Sequence, residues 1–329
     1  MLNQQKLISL STGSKVNHYL LVVACDVKTA KNNRSYLNLE LRDESQQLNC
    51  KMWDGFEVIA KEIDKGSIVK VDGIIEEFNN QQQIRINRIR ASVEKDNVTA
   101  EDFLAKSSRN LDEMLSELSN RIELISNKFL KTLLNNILAG NNLKKYSNVP
   151  AGKSWHHSYL HGLLEHTLEI IRICDLMSDI HSEIDRDLLI SGAALHDFGK
   201  IEELEFETGF DYTDKGRLLG HIVIASMIVN NEADKIPNFP EALKTELLHL
   251  ILSHQGKLEY ASPVEPKTLE AIVLYHADEL SAKSNAYKYA ILSEKNGQNR
   301  WTKFLHLAGT SLYIPIDENG TNQTTLFDK

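Results

Sequence analysis

The sequence GAALHDFGK at residues 192–200 closes an apolar helical pattern with two adjacent metal-binding side chains, His196 and Asp197. Neighbouring residues on a regular helix point about 100° apart, so both can reach one centre only if that centre lies at a helix end. We interpret Gly199 as the signal that ends this helix. Lys200 follows at once, and its ammonium group can hold a phosphate as a point charge.

Further candidate ligands lie on both sides of this stretch. Ten of the twelve histidines fall within residues 156–276, and three occur in separate apolar helical patterns. These are His166 in LLEHT, His221 in LLGHI and His254 in LSHQG, followed by Asp278 in YHADEL. One such side chain from each of several helices can build a site in the core of a helical bundle.

Imidazole nitrogens and carboxylate oxygens suit Mn²⁺, Fe²⁺, Co²⁺ or Zn²⁺. In this order of residues, the carboxylate of Asp197 can bridge two such ions while His196 serves one of them. A single helical histidine is more often structural, and only the ordered set favours a metal site. The structural interpretation is kept for the remaining candidates: His18, His181, His249 and His306.

The chain divides into a part with strand patterns and a part with helical patterns. Five short stretches rich in β-branched residues, with one short helix between the third and fourth, follow the order of a five-stranded OB-type barrel. The predicted strands are Val16–Ala30, Tyr36–Asp43, Gln47–Trp53, Ser67–Phe78 and Gln83–Ser92.

From Thr99 onward the apolar residues recur at helical spacing, and a first run ends at Asn141 and Asn142. The later predicted helices are His161–Ser178, Asp187–His196, Leu218–Asn231, Pro240–Ser253 and Pro266–Lys283. The expected organisation is an OB domain at 1–93, a helical linker at 94–150, an all-α domain at 151–290, and a C-terminal extension with a loose tail at 291–329.

Charge and composition limit the class of protein. The net charge is −9, but residues 1–93 carry +2 and the remainder −11, so a slightly basic module precedes an acidic one whose charge favours bound cations. The longest apolar run is Tyr19–Cys25, too short to span a bilayer, and no secretory signal is visible. Three distant cysteines are typical of a reduced, cytoplasmic protein.

The order H…HD…H…H…D resembles the HD-domain metal-dependent phosphohydrolases. The wider pattern is similar to the YhaM-type 3′–5′ exoribonucleases over roughly residues 15–290, through SWHHSYLHGLLEHT, GAALHDFGK, GRLLGHI, LILSHQG and YHADELSAK. The resemblance implies a helical HD fold, two divalent ions, most often manganese, and phosphodiester hydrolysis from a 3′ end. Mn²⁺ is therefore expected, with Co²⁺, Fe²⁺ or Zn²⁺ as alternatives.

The same resemblance assigns the ligands. It implies one metal held by His166, His196, Asp197 and Asp278, and a second held with His221 and His254. The family pattern usually has glycine where this chain has His161. That extra imidazole either perturbs the site or faces solvent, and it is not assigned as a ligand.

An OB barrel binds single strands by stacking bases on aromatic rings while basic side chains follow the backbone. Candidate platforms are Tyr36, Trp53 and Phe78, although Trp53 or Phe78 could instead fill the barrel. Candidate phosphate partners are Lys28, Lys31, Arg34, Lys51, Arg85, Arg88 and Arg90. At strand spacing, Arg88 and Arg90 share a face and Arg85 points away from it. Nearer the metal ligands, His157 and Tyr159 are expected to contact the terminal nucleotide.

The sequence therefore predicts an exonuclease that cleaves single-stranded RNA, or also DNA, into nucleoside 5′-monophosphates, with Asp197 and Lys200 in catalysis. Two alternatives stay open: an HD phosphohydrolase of a small nucleotide with a regulatory OB domain, and a DNA-binding or DNA-repair exonuclease. No membrane partner is expected.

The C-terminal segment contains Gln323, Leu326 and Phe327 in the spacing Gln-x-x-Leu-Phe. This resembles the short peptide with which bacterial replication and repair proteins bind the sliding clamp. The more common alternative is that the two apolar side chains pack on the protein's own helices. Clamp binding would favour DNA as the polymer.

Overall fold

The computed structural model describes residues 2, 4–30, 32–79, 81–153, 155–206, 209–294, 300–306 and 308–315. The predicted phosphate partner Lys31 and the predicted clamp-binding residues Gln323, Leu326 and Phe327 lie outside these residues. Within them, no helix combines the length and the apolar character needed to cross a bilayer.

The N-terminal strands form a closed five-stranded barrel, as predicted. The strands are β1 (Lys15–Thr29), β2 (Ser35–Arg42), β3 (Gln47–Met52), β4 (Ile68–Phe78) and β5 (Gln81–Ala91). β1 pairs antiparallel with β2 and β4, and β5 closes the barrel by pairing antiparallel with β4 and parallel with β3. The helix expected between β3 and β4 is only a 3₁₀ turn, Ile59–Lys61. This is the OB fold.

Alternation of apolar residues fills the interior of the barrel. In β2, for example, Leu37, Leu39 and Leu41 are fully buried, while the residues between them are half-buried. Because successive side chains of a strand point to opposite faces, this alternation leaves a polar outer face on which binding residues can be placed.

The rest of the described chain is mainly helical. The helices are α1 (Leu111–Glu123), α2 (Lys128–Ile137), α3 (Gly140–Tyr146), α4 (Gly162–Ile180), α5 (Arg186–Leu195), α6 (Lys200–Glu203), α7 (Asp214–Asp234), α8 (Glu241–Ser253) and α9 (Leu269–Glu294). A two-stranded ribbon of β6 (Leu204–Phe206) and β7 (Phe210–Tyr212), which the pattern did not predict, separates α6 from α7. Helix α9 extends eleven residues past its predicted end at Lys283.

One hydrophobic core joins these helices. Met114 of α1 and Leu133 of α2 lie in the same buried cluster as Leu168 of α4, Leu189 of α5 and Leu250 of α8. The segment 94–150, predicted as a linker, therefore contributes side chains to the core that positions the candidate ligands.

Candidate metal centre

The His196-Asp197 pair lies at a helix end, as its adjacency requires. Helix α5 ends at Leu195, His196 is its C-cap, and a turn leads to α6 at Lys200. The predicted role of Gly199 is wrong, because its backbone is right-handed (φ −60°, ψ −18°). Glycine is required there by close packing: a Cβ atom would lie 2.0 Å from the carbonyl oxygen of His221 on α7.

Different elements supply the other candidate ligands. His166 lies in the second turn of α4, His254 directly follows α8, and Asp278 lies on α9. His221 follows Gly220, whose φ of 72° and ψ of 154° interrupt α7 and redirect the chain at that point.

Asp197 lies at the centre of these side chains, and its two oxygens face different histidines. Oδ2 is 3.3 Å from His196 Nε2 and 3.9 Å from His166 Nε2. Oδ1 is 3.3 Å from His221 Nε2 and 3.7 Å from His254 Nε2. We call these five residues the Asp197 cluster. The structure thus brings together two His pairs that share one carboxylate.

Asp278 joins the first of these pairs, since its Oδ1 lies 3.0 Å from His166 Nε2. It is therefore near the His166 and His196 side of the cluster. Two of the predicted structural histidines are anchored elsewhere: His18 bonds to the Gln5 carbonyl (2.7 Å), and His249 accepts from the Lys267 amide (3.0 Å).

The Nδ1 atoms of the four histidines are all anchored. His196 and His254 donate to the carbonyls of Ala193 (2.8 Å) and Ile251 (2.7 Å). His221 donates to the Glu203 carboxylate (3.0 Å), which also accepts from the His221 backbone amide. Carbonyl and carboxylate oxygens only accept, so in these three rings the proton sits on Nδ1 and the Nε2 lone pair is free.

His166 reaches the same state through a relay. The Ser281 hydroxyl donates to Glu169 Oε2 (2.6 Å), so it accepts from His166 Nδ1 (2.9 Å). Partners of this kind orient metal-binding histidines and fix their tautomer. In the Asp197 cluster, each imidazole, when neutral, therefore directs its Nε2 lone pair toward the central carboxylate.

These inward atoms lack hydrogen-bond partners. Nε2 of all four histidines and Oδ1 of Asp197 are buried without one in the described structure. A buried polar atom left unpaired costs about 1–3 kcal/mol. Divalent cations satisfy lone pairs of this kind, and the mixture of imidazole and carboxylate fits Mn²⁺, Fe²⁺, Co²⁺ or Zn²⁺. The residues therefore fit the metal centre that the sequence predicts.

The charges in the cluster support these states for Asp197, His166 and His254. His196 differs, because burial lowers its pKa but the adjacent Asp197 carboxylate outweighs burial and raises it. Burial raises the pKa of Asp197, but Lys200 and His196 outweigh it and hold this pKa well below its usual range. Burial, together with His157 and His196, keeps the pKa of His166 well below 6.5. Burial lowers the pKa of His254 to about 3. Two of the imidazoles are thus neutral, as ligands must be, beside an ionised carboxylate.

Lys200 is more enclosed than expected. Its side chain is nearly buried, and its ammonium donates to Asp197 Oδ2 (2.6 Å) and to the carbonyl of Ala151. An ammonium has three donors, so one remains beyond these two contacts. Lys200 nevertheless lines the cleft above the cluster.

That cleft has a volume of about 520 Å³ and opens beside Asp197, His254 and Asp278. Its other walls include residues that the sequence did not single out, namely Trp155, His156, Gln255, Tyr260, Tyr275, Lys283 and Tyr287. The aromatic ones carried no signal because a lone aromatic at helical spacing predicts a core residue as readily as a wall.

The expectation that His157 and Tyr159 contact the terminal nucleotide is corrected by their burial. Their exposed fractions are 1% and 6%. The amide of His157 donates to Asn285 Oδ1 (2.8 Å), and Asn285 also donates to the Tyr159 hydroxyl (3.2 Å). The Tyr159 side chain is packed against α9 and the His157 side chain against α4, whereas His156 lines the cleft.

His161 does not join the Asp197 cluster. Its Nδ1 donates to the Ser147 carbonyl (2.6 Å), and its backbone is left-handed, with φ of 70°. Glycine adopts that conformation without strain, which gives a physical reason for glycine at this position in the family pattern. Histidine is tolerated here with an anchored side chain.

On the barrel, the predicted platforms lie outside the core, and two of them contact each other. The rings of Tyr36 and Trp53 stack with centroids 4.7 Å apart, and Phe78 is 55% exposed. Lys51 Nζ lies 4.7 Å from the centroid of Phe78, and the guanidinium of Arg34 lies 5.7 Å from that of Trp53. We call these five residues the barrel cluster. Its alternating rings and cations match a surface that stacks bases and contacts phosphates.

The arginines of β5 are arranged differently from the prediction. A β-bulge leaves Asn87 of β5 without a paired residue on β4, because the consecutive residues Asp72 and Gly73 pair with Arg88 and Ile86. The extra residue reverses the alternation, so Arg85, which the pattern placed on the opposite face, shares the outer face with Arg88 and Arg90.

These arginines differ in availability. Arg85 is paired with Glu76, and Arg90 binds Asp96 through two bonds of 2.7 and 3.0 Å. Arg88 is exposed. Arg90 therefore belongs to a second, internally paired group rather than to the barrel cluster.

Comparison with known proteins matches both halves. Residues 163–283 match the family model described as the HD domain, and residues 22–91 match the one described as an OB-fold nucleic acid binding domain. Among solved structures, the chain is similar to the second OB-fold domain of replication protein A from Methanococcus maripaludis, and the match covers 26% of this chain and 92% of that domain. Its identity is 21% and its TM-score 0.22, which supports no conclusion about binding.

Three curated relatives cover almost the whole chain, each named 3′-5′ exoribonuclease YhaM. The one from Bacillus subtilis is 31% identical over 92% of this chain and 96% of its own. The one from Bacillus licheniformis is 32% identical over the same shares. The one from Listeria monocytogenes is 31% identical over 96% of this chain and all of its own. With its OB barrel, its HD domain and this extent of similarity, the chain belongs to the family of 3′–5′ exoribonuclease YhaM proteins.

Proposed function

We propose that this protein is a metal-dependent 3′–5′ exonuclease that degrades single-stranded RNA, and also single-stranded DNA, to nucleoside 5′-monophosphates. The observation that carries the proposal is the division of the Asp197 carboxylate between two pairs of histidines whose Nε2 atoms have no other partner. Two cations sharing one carboxylate are a common arrangement for phosphodiester hydrolysis.

The ligands follow from this geometry. His166, His196, Asp197 and Asp278 would hold one ion, and His221, His254 and Asp197 the other. When bound, such ions supply Lewis acidity toward a phosphodiester and lower the pKa of water. Mn²⁺ is the proposed metal because it accepts both imidazole and carboxylate ligands and because the family resemblance implies it.

The protein's own side chains have distinct roles in this scheme. Lys200 keeps Asp197 ionised through their 2.6 Å ion pair, and its remaining N–H can donate to a non-bridging phosphate oxygen in the cleft. Glu203, and Glu169 through Ser281, hold two of the imidazoles in their ligand tautomer. His156 and Trp155, which line the cleft, replace the buried His157 and Tyr159 as candidate contacts for the terminal nucleotide.

The barrel would capture the polymer. Tyr36, Trp53 and Phe78 offer ring faces to unstacked bases, and Lys51 lies beside them to contact phosphates. Arg34 lies beside Trp53 and is paired with the exposed Asp54 at 2.5 Å, a pair that a phosphate would have to replace. Capture by such a surface depends on shape and charge rather than on base edges, so it tolerates any sequence. An exposed aromatic and basic surface has no use in a phosphohydrolase of free nucleotides, which makes a polymer the better-supported substrate.

RNA is placed first because the relatives are named exoribonucleases. The decisive experiment uses the full chain with Mn²⁺ and matched RNA and DNA strands labelled at either end. We expect a 3′ label to be released at once as a mononucleotide and a 5′ label to appear on progressively shorter strands. Turnover of small nucleotides without degradation of strands would support the regulatory-barrel alternative, and immediate release of the 5′ label would reverse the polarity.

A further inference from the structure

We propose a third divalent-cation site, separate from the Asp197 cluster, formed by His157, Glu165 and Glu169. The ligand-type atoms of these residues all lie within 4.8 Å of one another. His157 Nε2 is 3.3 Å from Glu169 Oε2. Glu165 and Glu169 are one turn apart on α4, so their carboxylates lie on the same side of the helix, facing the segment that carries His157.

Two of these atoms are unpaired in the described structure. His157 Nε2 and Glu165 Oε2 are buried without a hydrogen-bond partner, and the two residues are only 1% and 9% exposed. A proton on either carboxylate would satisfy at most one lone pair, because each proton makes one strong bond. A cation coordinates several lone pairs at once, and it also balances the charges of the buried Glu165 and the half-buried Glu169.

The surrounding residues hold these ligands in place. The Ser281 hydroxyl donates to Glu169 Oε2 (2.6 Å), and Asn285 Oδ1 accepts from the His157 amide (2.8 Å). Asn285 also donates to the Tyr159 hydroxyl (3.2 Å). Tyr159 is therefore buried as a neighbour of Asn285, which it helps to hold in place beside His157. Anchored ligands with hydrogen-bonded neighbours are typical of metal sites.

The backbone is strained where it presents His157. Its φ is 42°, a left-handed conformation that costs a non-glycine residue about 1–3 kcal/mol. Gly162 packs directly against the backbone of His157, and glycine is required there because a Cβ would lie 2.0 Å from the His157 carbonyl oxygen. Strain of this kind persists only where the surrounding structure enforces it, and here it turns the imidazole toward the two carboxylates.

The ligand set defines the class of ion. One imidazole with two carboxylates suits Mn²⁺, Fe²⁺ or Zn²⁺, whereas Ca²⁺ and Mg²⁺ prefer oxygen alone. The nearby Arg172 does not supply the positive charge in place of a metal ion, because its guanidinium donates two hydrogen bonds of 2.8 Å to Glu117. Glu169 also ends the Ser281 relay to His166, so an ion here would share a ligand with the network that orients the Asp197 cluster.

The test is an anomalous difference map at the manganese edge from crystals of the full chain soaked in MnCl₂. We expect a peak between His157 Nε2 and the carboxylates of Glu165 and Glu169, besides those around Asp197. Peaks around Asp197 with none at this position would overturn the proposal. Absence of the peaks around Asp197 would count against the proposed function instead, so the two failures are distinguishable.

Metal content after dialysis gives a second measurement. Glu165→Gln, which leaves the Ser281 relay untouched, should bind one ion per chain fewer than the wild type. The control Asp179→Asn removes the same charge from an exposed position on α4 and should bind as many as the wild type. Equal metal content in Glu165→Gln and the wild type would contradict the third site, whereas the soaked wild-type crystal decides the matter if Glu165→Gln does not fold.

Discussion

The barrel and the helical domain place their functional side chains in opposite environments. The barrel cluster is partly exposed, and its rings and cations already contact one another. The Asp197 cluster is almost completely enclosed, and the four Nε2 atoms and Asp197 Oδ1 have no hydrogen-bond partner in the described structure. Exposed contacts are screened by water and each contributes little, whereas buried ionisable groups depend strongly on every partner.

This difference indicates how each region works. In the proposed function, binding on the barrel would be spread over several weak contacts, so losing one should reduce affinity by a limited amount. Chemistry in the helical domain would depend on one preorganised cluster, so removing its central carboxylate should abolish nearly all activity.

The largest expected effect comes from that carboxylate. Asp197→Ala should lower kcat/KM on both strands and bis-p-nitrophenyl phosphate by at least about a thousandfold, equivalent to about 4 kcal/mol of transition-state stabilisation. The reason is that both pairs of histidines lose their shared carboxylate. Asp197→Asn, which preserves the shape, controls for unfolding, with circular dichroism as the check. Turnover retained in saturating Mn²⁺ would remove Asp197 from the centre.

The second prediction concerns acid stability of the metal-free protein. His254 has a native pKa of about 3 against an ordinary 6.5, so the unfolded chain takes up a proton first as the pH falls. The stability that this group contributes is present above about pH 6.5 and is lost as the pH falls toward 3. Each excess proton costs about 1.4 kcal/mol per pH unit.

Urea unfolding with a chelator at several pH values measures this slope. His254→Asn should show a shallower loss of stability below pH 6.5 than the wild type does. The matched control is His181→Asn, at an exposed position, which should keep the wild-type slope. Parallel slopes in all three proteins would mean that His254 is not held neutral.

A smaller effect is expected from the barrel. Trp53→Ala removes one stacking ring and should weaken binding of a single-stranded oligonucleotide by about 1–3 kcal/mol. Hydrolysis of bis-p-nitrophenyl phosphate should be unchanged. Phe304→Ala, at a 55% exposed aromatic outside the barrel, should leave both unchanged. A matching loss on the small substrate would show that the barrel is not a separate capture surface.

The smallest effect distinguishes two cations on the same barrel. Lys51→Ala should reduce the slope of log K against log salt by about 0.7, the value for one phosphate contact on a single strand. Arg90→Ala should change it less, since Asp96 already neutralises that guanidinium. Equal changes in the two slopes would place Arg90 in the binding surface, as the sequence alone predicts.

Local pattern was sufficient for much of the molecule. Each of the five strands was predicted to within two residues because alternation is a local property of the chain. The adjacency of His196 and Asp197 correctly required a helix end. The order of the histidines also identified side chains that the structure brings together, since each lies on or at the end of a different helix of one bundle.

Other features depend on contacts distant in sequence. The bulge at Asn87 arises from pairing with Asp72 and Gly73 on β4, and it reversed the predicted face of Arg85. His157 was predicted to contact the terminal nucleotide, and its burial was missed because its partner Asn285 lies 128 positions away on α9. The requirement for Gly199 comes from the approach of α7, which no local turn signal records.

The most direct test of the central claim, that Asp197 divides its histidines between two ions, is the metal content of His254→Ala. Because His254 faces only Oδ1, this variant should bind one ion fewer than the wild type after dialysis against Mn²⁺, and His166 and His196 should retain theirs. Unchanged content, or loss of both ions around Asp197, would contradict the division.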